Sequence, residues 1–378
     1  MMQSAGNLGS AAVSRSAYVG VMPVQRPLTI ARCLVGMILS LAAIDWVWSH
    51  GVGLRFTGWL PAIAAVVLLT AVHVVYRRFR PAPQLAELAL YAELWVMFTA
   101  TGCILTYLAA ALGRPLADQI FTSVDASIGF DWLAWADLIR SHPAVAAILR
   151  VAYGSLMPQI VCSLVIFSFA RADGRNAELL MGAIIALLIT CSLSALLPAI
   201  GPWAHFGYAD RSAGDMAYLA DIISLRRGEA ATFSLPRMQG IVCFPSYHTV
   251  LAILLVYVHR GLRWSFPPLL VLNGLMLFSI PSEGGHYLVD MLGGAVVAVC
   301  AIVITARIVG LFAGPATTGS DIRPNSPDFS VFSAFRGVLK PFYNRRHGCF
   351  PLQAFVLRAG ALRGMPPNDP GNTGRIKS

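Results

Sequence analysis

Two short stretches hold residues able to move a proton or a phosphoryl group: Cys243-Phe244-Pro245-Ser246-Tyr247-His248-Thr249 and Gly284-Gly285-His286-Tyr287-Leu288-Val289-Asp290. Each opens a long apolar run, so each histidine falls where a membrane helix meets water. His286 and Asp290 are four residues apart and share one helical face. A carboxylate so placed accepts from one imidazole nitrogen, fixes the tautomer and leaves the other nitrogen free as nucleophile or base. His248, on a different helix, is then available as the acid that protonates a leaving oxygen. This trio suits phosphoryl transfer through a phosphohistidine, with no metal or other cofactor. Ser246 and Gly285 stand at turns whose backbone N–H groups, open at helix N-termini, would welcome a phosphate. The arginines of a polar loop at 201–242 are candidates to add positive charge.

Other polar residues in apolar runs have plainer readings. Asp45 sits beside Trp46 and Trp48 as an interface carboxylate, and His73 reads as a packed, neutral histidine. Ser246 lacks the glycine-flanked setting of a protease nucleophile.

The elements that must position these groups are membrane helices. The chain has 378 residues, of which 57% are hydrophobic and only 12% charged, against roughly 25% charged in soluble domains. Several apolar runs reach the roughly 20 residues that a bilayer crossing needs. The net charge of +10 gathers in selected loops and the C-terminal tail, which points to membrane orientation rather than nucleic acid. The seven cysteines are scattered without a CxxC pair, so their spacing predicts neither a disulfide framework nor a zinc site.

The expected architecture is all-α, a polytopic bundle of about eight transmembrane helices with a six-helix core. Spans are predicted at 30–48, 59–76, 88–112, 151–170, 178–200, 245–259, 266–280 and 286–312. Residues 113–143, where Asp118, Asp125, Asp131 and Asp137 alternate with apolar side chains, read as amphipathic structure on the membrane surface. A lid over a lipid site is the sharper reading of that segment. Four regions follow: a flexible tail at 1–28, accessory helices at 29–113, the membrane domain proper at 114–313, and a basic, largely disordered tail at 314–378.

Basic residues crowd one set of short loops, with Arg77, Arg78, Arg80, Arg171, Arg175, Arg260 and Arg263. That places both termini in the cytoplasm. The same parity brings Gly201-Pro202, the 201–242 loop, His248 and His286 together at the outer face.

Phe244-Pro245-Ser246-Tyr247-His248 resembles the Pro-Ser-x-His motif of the type 2 phosphatidic acid phosphatase superfamily, and His286 followed by Asp290 resembles its third motif. The branch containing fungal inositolphosphorylceramide synthase is the nearest likeness. It rests on Phe244, a bulky Tyr247, His286-Tyr287-x-x-Asp290, Val124-Asp125, Gly129-Phe130-Asp131-Trp132, Tyr153 and Ser155. The likeness spans roughly 115–312 and implies His286 as nucleophile, Asp290 as its partner and His248 as general acid. Two departures stand out: the superfamily's Lys and Arg-Pro motif is replaced by Pro198–Trp203, and its Ser-Arg appears as Ser279-Ile280. Arg237 is the first candidate to replace the missing arginine, followed by Arg226, Arg227 and Arg211.

The expected function is therefore an integral-membrane phosphotransferase for phosphate-linked lipid headgroups, in a bacterial inner (plasma) membrane. Its partners would be a phospholipid or lipid-linked phosphate and the bilayer. A lipid phosphate phosphatase with the same catalytic residues is the alternative. A proton-coupled transporter is weaker, because no inverted repeat is evident and the polar groups sit at helix mouths rather than the midplane.

Overall fold

The computed structural model describes residues 25–172, 174–208, 217–229 and 232–311. The C-terminal tail, most of the N-terminal tail, Arg211 and Cys349 lie outside the described residues. Among the described residues, thirteen α-helices run in chain order. They are α1 Gln25–Val52, α2 Leu60–Val74, α3 Pro83–Ala110, α4 Asp118–Ser127, α5 Trp132–Arg140, α6 Pro143–Gly154 and α7 Leu156–Phe169. After these come α8 Arg175–Leu196, α9 Pro202–His205, α10 Ala217–Arg227, α11 Tyr247–Val258, α12 Phe266–Glu283 and α13 Leu288–Leu311. A π turn, Val75–Phe79, continues α2 up to Arg80-Pro81, where the missing proline N–H ends it.

The centre of the bundle is α8, which packs against α13, α11, α3 and α7. Its Leu179, Leu180 and Ile184 meet Val250, Leu254 and Leu255 of α11 and Val297 and Ala298 of α13 in one continuous apolar core. α12 packs on α11 and α6, while α1 and α2 pack on α3. Outward faces stay apolar, as at Val67, Val161, Phe278 and Val296.

Among the described residues, five helices are long and apolar enough to cross a membrane: Thr29–Val52, Leu60–Phe79, Pro83–Ala110, Arg175–Leu196 and Leu288–Leu311. A sixth span arises if α6 and α7 count together across their 48° bend. The predicted span at 151–170 is thus a broken one. Its break falls at Gly154-Ser155, where the Ser155 hydroxyl donates to the Ala152 carbonyl at 2.6 Å. α11, at 12 residues, and α12, at 18, lie outside that count of spans.

The all-α expectation is corrected in one place. β1, Arg55–Thr57 in the α1–α2 connection, pairs in parallel with β2, Thr232–Ser234, in the long polar loop. The ladder runs Arg55 to Thr232, Phe56 to Phe233 and Thr57 to Ser234. Phe233 then packs edge-on against Tyr107 at the end of α3. Such a short pairing carries no periodic signal of its own; it forms because two loops meet over the bundle end.

Candidate active site

The loop 284–287 enters α13, and Asp290 sits in that helix's first turn. One oxygen of Asp290 collects three donors. His286 Nδ1 lies 3.3 Å from Oδ2, the Tyr287 backbone N–H donates at 2.9 Å, and the Cys243 thiol donates at 3.1 Å. Asp290 is fully buried and His286 nearly so. With Nδ1 turned to the carboxylate, Nε2 is the imidazole nitrogen left over, a tautomer assigned from the hydrogen-bond pattern. The spacing expectation for His286 and Asp290 is therefore realised as a directional contact.

His248 lies in the first turn of α11 and stacks on Tyr153, with ring centroids 4.5 Å apart and planes tilted by 16°. Tyr153 projects from α6 just before the bend. His248, His286, Gly284, Gly285, Tyr153, Cys243, Trp203, Tyr218 and Glu283 all line one cavity of about 450 Å³. The two histidines thus share a chamber. Main-chain bonding links their two helices, since the Ser246 N–H donates to the Asp290 carbonyl at 2.9 Å.

Two glycines are fixed by this geometry. Gly285 has φ +61°, and a Cβ there would lie 2.6 Å from the Trp203 ring. Gly201 has φ +85°, and its Cβ would lie 2.7 Å from the Gly285 carbonyl oxygen. Only glycine adopts this backbone cheaply. The two loops therefore press together directly beneath His286.

The aspartates of α4 do more than the surface reading foresaw. α4 and α5 do show apolar side chains outward, among them Ile120, Val124, Leu133 and Leu138. Asp118 and Asp125, seven residues apart on one helical face, instead turn inward and are buried. Asp125 accepts from the backbone N–H groups of Leu288 at 2.8 Å and Val289 at 2.9 Å, capping α13. Asp118 accepts from Ile200 N at 3.1 Å, Gly201 N at 2.9 Å and the Tyr287 hydroxyl at 3.0 Å. Burial raises the Asp125 pKa, and the two N–H bonds work against that rise. Burial, reinforced by the Asp290 charge, also pushes the Cys243 thiol well above its ordinary range. Cys243 therefore stays protonated and can donate to Asp290.

The predicted phosphate contacts fare differently. The N–H groups of Tyr287, Leu288 and Val289 already donate to Asp290 and Asp125. Buried carboxylates thus claim these three donors at the start of α13. Ser246 is fully buried, and its hydroxyl accepts from Thr249 N at 3.4 Å as the α11 cap. Gly285 does line the cavity; Arg237, Arg226 and Arg227 are not among its lining residues. Arg237 and Arg227 are exposed, and Arg227 lies 3.6 Å from Glu229. An acidic group, Glu283, stands in the lining, with Arg150 Nε 3.3 Å from its Oε2.

Described parts of the long polar loop form one wall of the chamber. Tyr218 of α10 lines it and donates to the Ile200 carbonyl at 2.9 Å. Asp221 of α10 accepts from the Tyr107 hydroxyl, which in turn accepts from Gln239 N at 3.3 Å. Gln239, Gly240 and Ile241 complete the wall.

Residues 119–304 match the PAP2 superfamily. The PAP2 match covers just under half of the chain and includes both histidine stretches. No curated protein and no solved structure shows a significant match. Within the matched region, sequence spacing found His248, His286 and Asp290. It missed Asp118 and Cys243 as site residues; Asp125 was read with the amphipathic surface segment and, like Tyr153, for its likeness to a branch of the superfamily. The seven-residue step from Asp118 to Asp125, two helical turns, was the available signal for an inward acidic face.

Proposed function

We propose that the protein is an integral-membrane phosphotransferase that works on phosphate-linked lipid headgroups through a phosphohistidine on His286. The observation that carries this reading is the shared chamber, in which an aspartate-oriented His286 and a ring-stacked His248 line the same walls. The PAP2 match, whose superfamily suggests phosphatase or phosphotransferase activity on lipid phosphates, supports it independently.

In the first step the Nε2 lone pair of His286 attacks phosphorus, and the phosphorus–oxygen bond to the leaving alcohol breaks. His248 gives that oxygen its proton. Asp290 holds the Nδ1 proton and stabilises the imidazolium that forms. In the second step His248, now neutral, takes the proton of an acceptor hydroxyl whose oxygen attacks phosphorus and releases His286. A lipid hydroxyl as acceptor makes the protein a transferase, the reading favoured by the likeness to the inositolphosphorylceramide synthase branch. Water as acceptor makes it a phosphatase.

The same reading has eight crossings: α1, α2, α3, the bent α6–α7 pair, α8, α11, α12 and α13. α11 is included because it packs in the middle of the same bundle, buried or half-buried along its length, and α12 because it packs on α11 and keeps an apolar outer face at Val271 and Phe278. The termini then lie in the cytoplasm and the chamber opens at the outer face. Supporting this side assignment, Arg175 and Arg260, from two of the basic loops, meet at Glu178, with contacts of 2.9 and 2.5 Å.

The test is turnover of a radiolabelled phospholipid panel in detergent with EDTA present. The expected result is release or transfer that survives EDTA and falls at least about 10³-fold in His286→Ala. A His248→Ala variant should accumulate acid-labile phosphate, because breakdown of the intermediate also needs His248. Full activity in His286→Ala would refute the assignment of nucleophile. Product analysis with and without an added lipid alcohol separates transferase from phosphatase.

A further inference from the structure

Cys243 stands 43 residues before His286 and 47 before Asp290, so spacing predicted no metal ligands, yet folding brings three donor atoms together. Cys243 Sγ lies 3.1 Å from Asp290 Oδ2 and 3.9 Å from His286 Nδ1, and Nδ1 lies 3.3 Å from Oδ2. All three residues are buried, and each offers one ligand atom within 4.8 Å of the others. Zinc bonds of about 2.3 Å to sulfur and about 2.0–2.2 Å to nitrogen and oxygen, arranged tetrahedrally, require ligand separations of about 3.3–3.6 Å. The observed sides of 3.1, 3.3 and 3.9 Å lie within about 0.3 Å of that range, so small side-chain shifts bring the three atoms to bonding geometry. The second carboxylate oxygen, Asp290 Oδ1, is buried with no hydrogen-bond partner among the described residues. Cys243 and His286 line the cavity, which provides the route in.

We propose that Cys243, His286 and Asp290 form a binding site for a thiophilic divalent cation, zinc or cadmium, and that its occupation switches the chamber off. Thiolate plus imidazole favours such ions over magnesium or calcium, which take oxygen ligands. Binding replaces two hydrogen bonds to Asp290. The Cys243 thiol loses its proton to solvent as sulfur bonds the ion. The His286 proton passes from Nδ1 to Nε2 by way of solvent, so that the Nδ1 lone pair is free for the metal. One proton is released per ion. The consequence for catalysis follows from the tautomer: with a proton on Nε2, His286 has no lone pair left for phosphorus.

The binding half of this inference stands apart from the phosphotransferase reading, while the inhibition half rests on it. The experiment therefore reads both. Protein stripped with EDTA and freed of chelator is titrated with zinc chloride, cadmium chloride or magnesium chloride against a chromophoric chelator. Wild type, Cys243→Ser and Cys243→Ala are compared, each checked for an intact thermal transition. Expected are one zinc or cadmium per chain, at least a 100-fold weaker affinity in Cys243→Ala, an intermediate one in Cys243→Ser, and no competition from magnesium. Equal zinc affinity in wild type and Cys243→Ala, or no saturable one-per-chain binding, overturns the site. Lipid phosphate turnover is then followed at the same zinc concentrations, each variant scaled to its own metal-free rate. Zinc should inhibit wild type and spare Cys243→Ala; activation of the stripped enzyme by zinc overturns the switch. Saturable binding with no turnover in EDTA or in zinc would instead sink the phosphotransferase reading and leave the metal site standing.

Discussion

Cys243 shows how much of this site lies beyond the reach of spacing. Nothing in its sequence neighbourhood marks it, since a cysteine ahead of an apolar run is ordinarily a small hydrophobe. Its role appears only when the loop before α11 folds against α13 and the thiol meets Asp290. Burial and the Asp290 charge raise its pKa, which lowers the thiolate fraction at any given pH. Its alkylation by iodoacetamide should therefore be slow at pH 8, and its rate–pH profile should sit to the alkaline side of free cysteine. The profile is measured on a variant that keeps Cys243 alone; a profile on the acid side would contradict the buried, acid-facing thiol. The same sign applies to stability: the folded state holds this proton more tightly. The contribution is full below the unfolded thiol pKa and is lost as pH rises through the folded one. By contrast, His286 and Asp290 were legible, because a four-residue step on a helix is a geometric statement in its own right.

Among the elements, α4 was the least legible. Its alternating aspartates fit a surface helix, and its outer face is one, but Asp118 and Asp125 are the ties that hold two loops of the candidate site. A carboxylate at the start of α13 also meets the positive end of that helix's dipole. Asp125→Ala removes both acceptors and leaves two N–H groups at the mouth of α13. The expected loss is about 1–3 kcal/mol, with turnover reduced at least about tenfold as the His286 turn loosens. Asp125→Asn, which keeps one acceptor, should recover part of each. Thermal melts and turnover in detergent check both variants; an unchanged melt in Asp125→Ala would remove the tie. The bend between α6 and α7 was hidden for a different reason. Hydropathy sees a continuous apolar stretch, whereas at the break Pro158 has no N–H to give the Gly154 carbonyl and the Ser155 hydroxyl donates to the Ala152 carbonyl.

For the molecule as a whole, composition and hydropathy were sufficient to find a helical membrane bundle. They did not find the loop-to-loop strands, because three-residue pairings have no period to detect. The bundle has two differently built ends. One carries the chamber; the other carries Glu178, which receives Arg175 at 2.9 Å and Arg260 at 2.5 Å in a partly buried cluster. Removing this hub in Glu178→Ala leaves two guanidinium groups short of their carboxylate. It should lower stability by about 1–3 kcal/mol while leaving turnover per folded molecule near wild type. A melt combined with an active-fraction assay reads the two effects apart; a large loss of turnover without a shift in melting would break the expected separation of the ends.

The shortness of α11 has a consequence for how a lipid is presented. Twelve residues span about 18 Å at 1.5 Å per residue, whereas the hydrocarbon layer is about 30 Å thick. The far end of α11 is held by Arg260 on Glu178 and by the buried His259 between Ser163 and Ser265. With that end at the cytoplasmic boundary, as proposed above, His248 lies roughly 12 Å below the opposite boundary. A nitroxide at His248→Cys should report such a depth by its relative accessibility to oxygen and to a water-soluble nickel relaxant. A reading at headgroup level would refute it. Chemistry at this depth spares the membrane a costly step: each methylene drawn into water costs about 0.8 kcal/mol. On the proposed reading, the phosphate sinks toward the histidines and the acyl chains stay in the bilayer.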